Sequence, residues 1–384
     1  MVTHVLTCRG CGDREPRRVV DLGAQPASDD FPPLGAPEPD ARWPLELWWC
    51  PRCALVQLGP IEALLEEPVR AVESQSSRLH ARRVVEALLA DHPRLAGTSV
   101  REFSSHHGGS WLDALSDHGC RSVSTSEPAM LVVDAHALAH EQDVHGALAE
   151  RAAALAPEGI LVLEHHHLLP LVEEGQFDTI RHGHWSYLSL TAIDRLAPEH
   201  GLAVVQAVPE PVFGGSLRVL LAHRSAGLPV DESVPRILAA ERAAGLADGT
   251  GLETLGQRAQ ASAHALRTFL TDQRAAGRTV LAYGAPSKAA VLLGLSGVGR
   301  DLLDFTVDAA PLKHGLAIPG GRVPIRPVAD LVAARPDIVL VLTWDIAEEV
   351  VAQLESDDGW GAEYVLPLPV PHPLERPAPA AALR

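Results

Sequence analysis

The sequence predicts an α/β protein in three parts: a cysteine-bearing N-terminal module followed by two doubly wound domains. Three observations carry this. Two C-x-x-C pairs lie near the N-terminus, Cys8 with Cys11 and Cys50 with Cys53. Short apolar runs of strand length alternate with helical stretches from about residue 75 onward. A second strand, glycine turn and helix begin near residue 278.

Size and charge set the outer bounds. A chain of 384 residues is long enough for two or three domains. Its 46% hydrophobic content and mean hydropathy of +0.06 are ample for buried cores. The net charge of −17, with no Lys/Arg run longer than a pair, repels phosphate backbones and argues against a nucleic-acid partner. No segment reaches membrane-spanning length and none resembles a signal peptide, so a soluble, cytoplasmic protein without a membrane partner is expected.

Five cysteines in a chain this long are not a disulfide scaffold. Each C-x-x-C turn aims two thiolates at one point, and two such turns complete a tetrahedral S4 site suited to zinc. All four positions being protein ligands, the site is structural, with no place for a reactive water. A redox C-x-x-C would sit at a strand-to-helix junction, which neither pair occupies. The runs 19–26 and 43–49 read as strands that set the two turns side by side, and Cys120 reads as a small buried side chain.

In the middle region, 77–91 reads as a helix with Leu79, Val84, Val85, Leu88 and Leu89 on one face. Strands are expected at 99–103, 121–126, 130–134 and 159–164, with helices opening at 111 and spanning 141–155. Ligands bind outside the carboxyl ends of such strands. One crevice should therefore gather the 104–110 turn, Glu127, His136 and the Glu164–His167 run. Histidines concentrate there: His106, His107, His136, His140, His165, His166, His167, His182 and His184. The E-H-H-H and R-H-G-H runs have spacings a second metal could use, although adjacent side chains seldom converge on one ion.

At this point the residues resemble a known family, the nucleotide-sugar C-methyltransferases of deoxysugar and antibiotic biosynthesis. The N-terminal stretch is similar to the family's first domain through its two C-x-x-C pairs, D-L-G-A-Q-P (21–26), W-P-L-E-L (43–47) and C-P-R-C-A-L-V-Q-L (50–58). F-D-T-I-R-H-G-H-W-S-Y-L-S-L (177–190) resembles the most specific stretch, and F-G-G-S-L-R-V (213–219) resembles H-G-G-S-x-R. A-Y-G-A-P-S-K-A (282–289), V-D-A-A-P-L-K-H-G-L-A-I-P-G (307–320) and P-D-I-V-L-V-L-T-W-D (336–345) resemble the C-terminal domain.

The resemblance implies a zinc-binding domain at 1–62 and a shortened class I methyltransferase-like Rossmann domain at 75–225. A helical linker at 226–275, a C-terminal Rossmann-like domain at 276–376 and a tail at 377–384 complete the expected order. It implies S-adenosylmethionine as methyl donor and a small-molecule nucleotide sugar as substrate. A base removes the proton α to a ketone, and the enolate attacks the methyl group; an imidazole titrating near neutrality suits that step. The base falls on His184, with His182, His167 and Arg181 beside it. Glu102, Ser104, Gly108, Glu127 and His136 fall on the cofactor side. Glu164, Tyr187, Ser216, Arg218, Tyr283, Ser287 and Lys288 fall on the substrate side, where an arginine fork suits a diphosphate.

Three departures stand out. Arg181 and Gly183 replace the family's Tyr and Glu, and 68–77 lacks its usual tyrosine. E-x-G-x-x-x-G reads Glu102-Phe-Ser-Ser-His-His-Gly108. Between Glu127 and the 130–134 strand a further strand and two helices of the family are missing, although a parallel crossover needs about a dozen residues. Three readings follow: a C-methyltransferase, a relative using the histidine crevice for donor-free proton transfer as isomerase, epimerase or cyclase, or a non-catalytic binding partner.

Overall fold

Alternating burial builds the first sheet. β1 (Arg17–Pro26) pairs antiparallel with β2 (Arg42–Trp49), and β2 with β3 (Val56–Leu58). Val20, Leu22, Leu45, Leu47 and Trp49 point into one core. The computed structural model describes residues 6–37, 39–61, 75–103, 109–355 and 361–374. The tail at 377–384, most of 68–77, and Ser104, His106, His107 and Gly108 therefore lie outside the described residues. The chain divides into two units, Met1–Ala27 with Arg42–Arg258, and Ser28–Ala41 with Ala259–Arg384.

In the first unit α1 (Gln75–Asp91) buries His80, Ala81, Val84, Val85, Leu88 and Leu89. The expected stripe is one residue off at its start, because Leu79 is 58% exposed and His80 takes its place. The six-stranded sheet that follows runs β5-β4-β6-β7-β10-β9. Its parallel part comprises β4 (Ser99–Phe103), β5 (Arg121–Ser122), β6 (Ala129–Ala135) and β7 (Leu155–His166), with α2 (Leu112–Asp117) after β4 and α3 (Val144–Ala154) before β7.

The strand expected over 121–126 is corrected to two residues. A full-length β5 beside β4 would leave too little chain to reach β6 on the other side of β4. Stopping at Ser122 frees 123–128 for the crossing, which Arg101 Nη1 holds by donating to the Thr125 carbonyl at 3.1 Å. The strand order reverses between β4 and β6, which opens a crevice at their carboxyl ends.

After β7 come α4 (Leu168–Glu174), β8 (Ser186–Tyr187), α5 (Leu190–Leu196), β9 (Leu202–Glu210) and β10 (Ser216–His223). β10 closes the sheet antiparallel to both β7 and β9. α6 (Ser233–Ala243) buries Val234 and Ile237 in the core shared with α3 and α5. β8 joins the first sheet instead, antiparallel to β3.

α7 (Leu255–Ala275) leads into the second unit. There β11 (Val280–Tyr283), β12 (Thr306–Val307), β13 (Ile325–Arg326), β14 (Ile338–Val341) and β15 (Glu363–Leu366) are parallel in the order β13-β12-β11-β14-β15, and β16 (His372–Pro373) adds an antiparallel edge. α8 (Ser287–Ser296), α9 (Val328–Ala334) and α10 (Ala347–Glu355) complete a Rossmann-like half. No helix among the described residues is long and apolar enough to cross a membrane.

One buried ion pair ties β6 to α3. Asp134 Oδ2 accepts from Arg151 Nε at 2.7 Å, its Oδ1 accepts from the Ala137 and Leu138 amides, and the guanidinium lies 4.1 Å from the Phe103 ring centre. Both side chains are about 1% exposed. Removing one partner strands the other charge, so Arg151→Leu should lose about 3–5 kcal/mol of unfolding free energy in denaturant titration.

Candidate active site

The N-terminal site fits zinc on its donor chemistry. The four Sγ atoms of Cys8, Cys11, Cys50 and Cys53 lie within 4.8 Å of one another. Cys8 and Cys53 are 3.5 Å apart and Cys11 and Cys50 3.6 Å. A Zn–S bond of about 2.3 Å gives a tetrahedral edge of ~3.8 Å, close to both. Each knuckle closes on backbone bonds, Gly12 N to Cys8 O and Ala54 N to Cys50 O. Fully buried Gln57 clamps the first knuckle: its Oε1 accepts from Arg9 N at 2.8 Å and its Nε2 donates to Thr7 O at 3.1 Å. Among the described residues this quartet alone brings three or more such donors close enough to share an ion.

The same sheet carries the histidine loop. Val56 pairs with Tyr187 and Gln57 with Ser186, and Leu58 N donates to Trp185 O at 3.0 Å. Arg9 lies over the Trp185 ring at 4.7 Å. His182 Nε2 meets Pro44 O at 3.1 Å, its ring stands edge-on to Trp43, and burial pushes its pKa down. His182 is thus packed into the zinc-bearing sheet.

Arg181 and His184 face each other across the turn at Gly183, whose φ of 95° suits glycine. Arg181 Nη2 lies 3.0 Å from His184 Nε2, so that nitrogen accepts, arginine having no acceptor. Tyr187 Oη accepts from Arg181 N and donates to Arg181 O. The His140 ring stands edge-on to His184, centroids 4.7 Å apart. Arg181, His184, Tyr187 and His140 therefore form one cluster.

Strand alternation splits the 164–167 run between the two faces of the sheet. Glu164 points toward α1. Burial would raise its pKa, but hydrogen bonds from His136 and His80 overcome this and hold it at about 2. His80 Nε2 lies 2.8 and 3.0 Å from its oxygens and His136 Nε2 3.3 Å from Oε1. His165 faces the other way; burial drives its pKa to about 3, and its Nε2 has no partner among the described residues. His167 lies on that side too, its Nε2 2.7 Å from Glu241 Oε1. Glu241, fully buried, also accepts from the amides of Leu190 and Thr191.

Other expected residues are committed nearby. Glu102 accepts from Ser110 Oγ and Trp111 N, anchoring the start of α2, and burial pushes its pKa up. Glu127 is exposed on the 123–128 link, five residues past β5, and accepts from Ser124 Oγ. Ser216 donates to Val212 O, and Arg218, 5% exposed, sends Nε and Nη2 to Glu210 at 3.1 and 3.0 Å.

In the second unit Gly284, at φ 96°, turns beside Thr343, where a β-carbon would come within 2.6 Å. Ser287 bonds Asp29, Lys288 pairs with Asp345 over the Trp344 ring, and Tyr283 Oη donates to Gln353 at 3.3 Å. These three lie about the carboxyl ends of β11 and β14.

Sequence reasoning missed His80, Glu241 and Gln57. The first two had a signal: His80 stands at helical spacing with Val84 and Leu88, and Glu241 with Val234 and Ile237, each a polar residue on an apolar stripe.

Purified protein should carry one zinc per chain, and Cys8→Ser or chelation should raise amide exchange across 181–188 as well as around the knuckles, since β8 hangs on β3. Stability should fall with acid in two windows. His165 is neutral when folded, so its contribution is full above pH 6.5 and is lost toward about pH 3; Glu164 keeps its contribution above pH 4.5 and loses about 3 kcal/mol as pH drops through about 2. His165→Leu should narrow the difference in melting temperature between pH 8 and pH 4.

Comparison with known proteins places these features. Residues 211–369 match the C-methyltransferase C-terminal domain, and residues 8–63 match a zinc binding domain model. The chain is 30% identical over 411 residues to the C-methyltransferase NovU of Streptomyces niveus, with 97% of each chain covered. Among solved structures, the N-methyltransferase NodS of Bradyrhizobium japonicum shares 14% identity at a TM-score of 0.29, covering 40% of this chain and 99% of its own. The 1,6-didemethyltoxoflavin-N1-methyltransferase of Burkholderia thailandensis shares 14% at 0.28, covering 44% and 94%. Likenesses that weak say nothing of activity; the sequence relationship does. The chain belongs to the C-methyltransferase family of transferases.

Proposed function

We propose that the protein methylates carbon α to a ketone in a small, nucleotide-linked keto sugar or a comparable enolisable intermediate. The supporting observation is the Arg181–His184 contact beside Tyr187 and His140. Arginine remains charged and suits a developing oxyanion. A substrate carbonyl that draws Arg181 onto its oxygen releases His184 Nε2, whose lone pair then takes the α proton. Arg181 thus fills the place of the family's phenol. S-adenosylmethionine, when bound in the crevice at the carboxyl ends of β4 and β6, supplies the methyl group. Glu102 keeps the strand–turn–helix entry to that crevice in register through Ser110 and Trp111.

One observation favours a second reading, proton transfer without a methyl donor. β5 is cut to two residues, and Glu127, expected on the cofactor side, sits exposed on the link with its carboxylate accepting from Ser124 Oγ. Calorimetric titration of S-adenosylmethionine and its demethylated product decides. Micromolar binding, about −8 kcal/mol, supports methyl transfer, and silence at millimolar concentration leaves the donor-free reaction. With a dTDP-4-keto-6-deoxyhexose as substrate, His184→Ala should lower kcat by about 10²-fold or more in the methyl-transfer assay; an unchanged kcat would remove His184 from the chemistry.

A further inference from the structure

Arg181, His184 and Tyr187 all stand on one stretch of chain, between the end of β7 and the start of α5. Its two ends lie side by side, for Leu168 N donates to Leu188 O at 3.0 Å and His167 bridges Leu188. A loop of this kind serves chemistry when a rigid element positions it. One carboxylate grips the neck from outside. Glu241, fully buried on α6, accepts on Oε1 from His167 Nε2 and from the Leu190 amide, both at 2.7 Å. Its Oε2 accepts from the Thr191 amide at 2.7 Å and from Thr191 Oγ1 at 2.6 Å.

Each oxygen thus takes two donors, one of the four from the entry to the loop and three from its exit. A carboxylate only accepts, so His167 carries a hydrogen on Nε2. Burial would raise the pKa of Glu241, but hydrogen bonds from His167 and Thr191 overcome this and hold it below the usual carboxylate value. Packing alone does not call for a charge here. Val234 and Ile237, earlier on the same face of α6, are apolar. A buried, fully paired charge is often no more stabilising than an apolar side chain of its size. What the carboxylate adds is direction, because it dictates which groups meet and where. The turn after α6 is anchored too. Leu246 N donates to Glu241 O at 2.9 Å, and Leu246 O accepts at 3.2 Å from Nε1 of Trp49, the neighbour of Cys50.

We infer that Glu241 is a positioning residue for the reaction: by joining both ends of the loop to α6 it sets the place of Arg181 and His184, with His167 as its partner at the entry. The inference rests on His184 being the base, as proposed above, and extends that reading to a residue far along the chain. Glu241 itself transfers no proton. Its effect reaches the substrate only through His184.

Full-length, zinc-loaded protein is incubated in D2O with a dTDP-4-keto-6-deoxyhexose and no methyl donor, and loss of the α-proton signal is followed by NMR. Glu241→Gln sets an amide NH2 against the loop's donors and should lower kcat for exchange at least about tenfold, with KM unchanged. His184→Ala should lower kcat as well. Adding Glu241→Gln to His184→Ala should then cost little more, because groups that act as one unit are not additive. An unchanged kcat in Glu241→Gln, or losses that multiply in the double variant, overturns this inference and leaves His184 as the base. An unchanged kcat in His184→Ala, or no exchange by wild type, overturns the base and this inference together. Should Glu241→Gln fold poorly, two variants of its partner decide. A loss in His167→Ala that His167→Gln recovers, by keeping an N–H for the carboxylate, supports the assignment, and equal kcat in the two overturns it.

Discussion

A carboxylate buried in a β-sheet must be met by donors, and Glu164 imposes that demand on its whole neighbourhood. Its position on β7 is set by strand alternation, which turns it toward α1. α1 answers with a histidine on its apolar stripe, and the connection after β6 answers with another, in a conformation a β-carbon resists. Behind them, Arg83, Glu210 and Arg218 continue the network to β9 and β10. The FGGSLR segment, whose arginine the family resemblance assigns to substrate, thereby takes part in holding the carboxylate's surroundings together.

The second organising relation is between the zinc knuckles and the R-H-G-H loop. β8 leaves the doubly wound sheet's neighbourhood to pair with β3, only a few residues after Cys53. A structural metal can then govern the order of that loop, because the backbone just after His184 is an extension of the sheet that the thiolates staple. Gln57 shows the joint from both sides: its side chain grips the chain flanking Cys8, and its backbone position faces Ser186.

Much of this was legible in the sequence, and the limits have physical causes. The C-x-x-C pairs declared their geometry because thiolate spacing alone defines a site. β6 and the helix after it followed from periodicity, which is local. β5 did not, because strand length there is decided by how much chain the crossing to β6 requires. The E-H-H-H run looked like one cluster in the sequence, yet the pleat sends Glu164 to one face and His165 to the other. Leu79 outranked His80 on hydropathy, though burial of His80 is repaid by Glu164, a partner far along the chain. The pairing of Arg218 with Glu210 was not legible, because the two meet only once β9 and β10 lie side by side.

The six-residue crossing from β5 to β6 has a meaning for how such a chain can change length. Ser124 to Pro128 are all exposed, and of the link only Val123, partly buried, packs against a core. Loop-closure entropy grows only logarithmically, about 0.6 kcal/mol per doubling of loop length. Whole elements could therefore enter or leave at this junction while β4 and β6 kept their register, which makes it a natural seam along which this architecture gains and sheds parts.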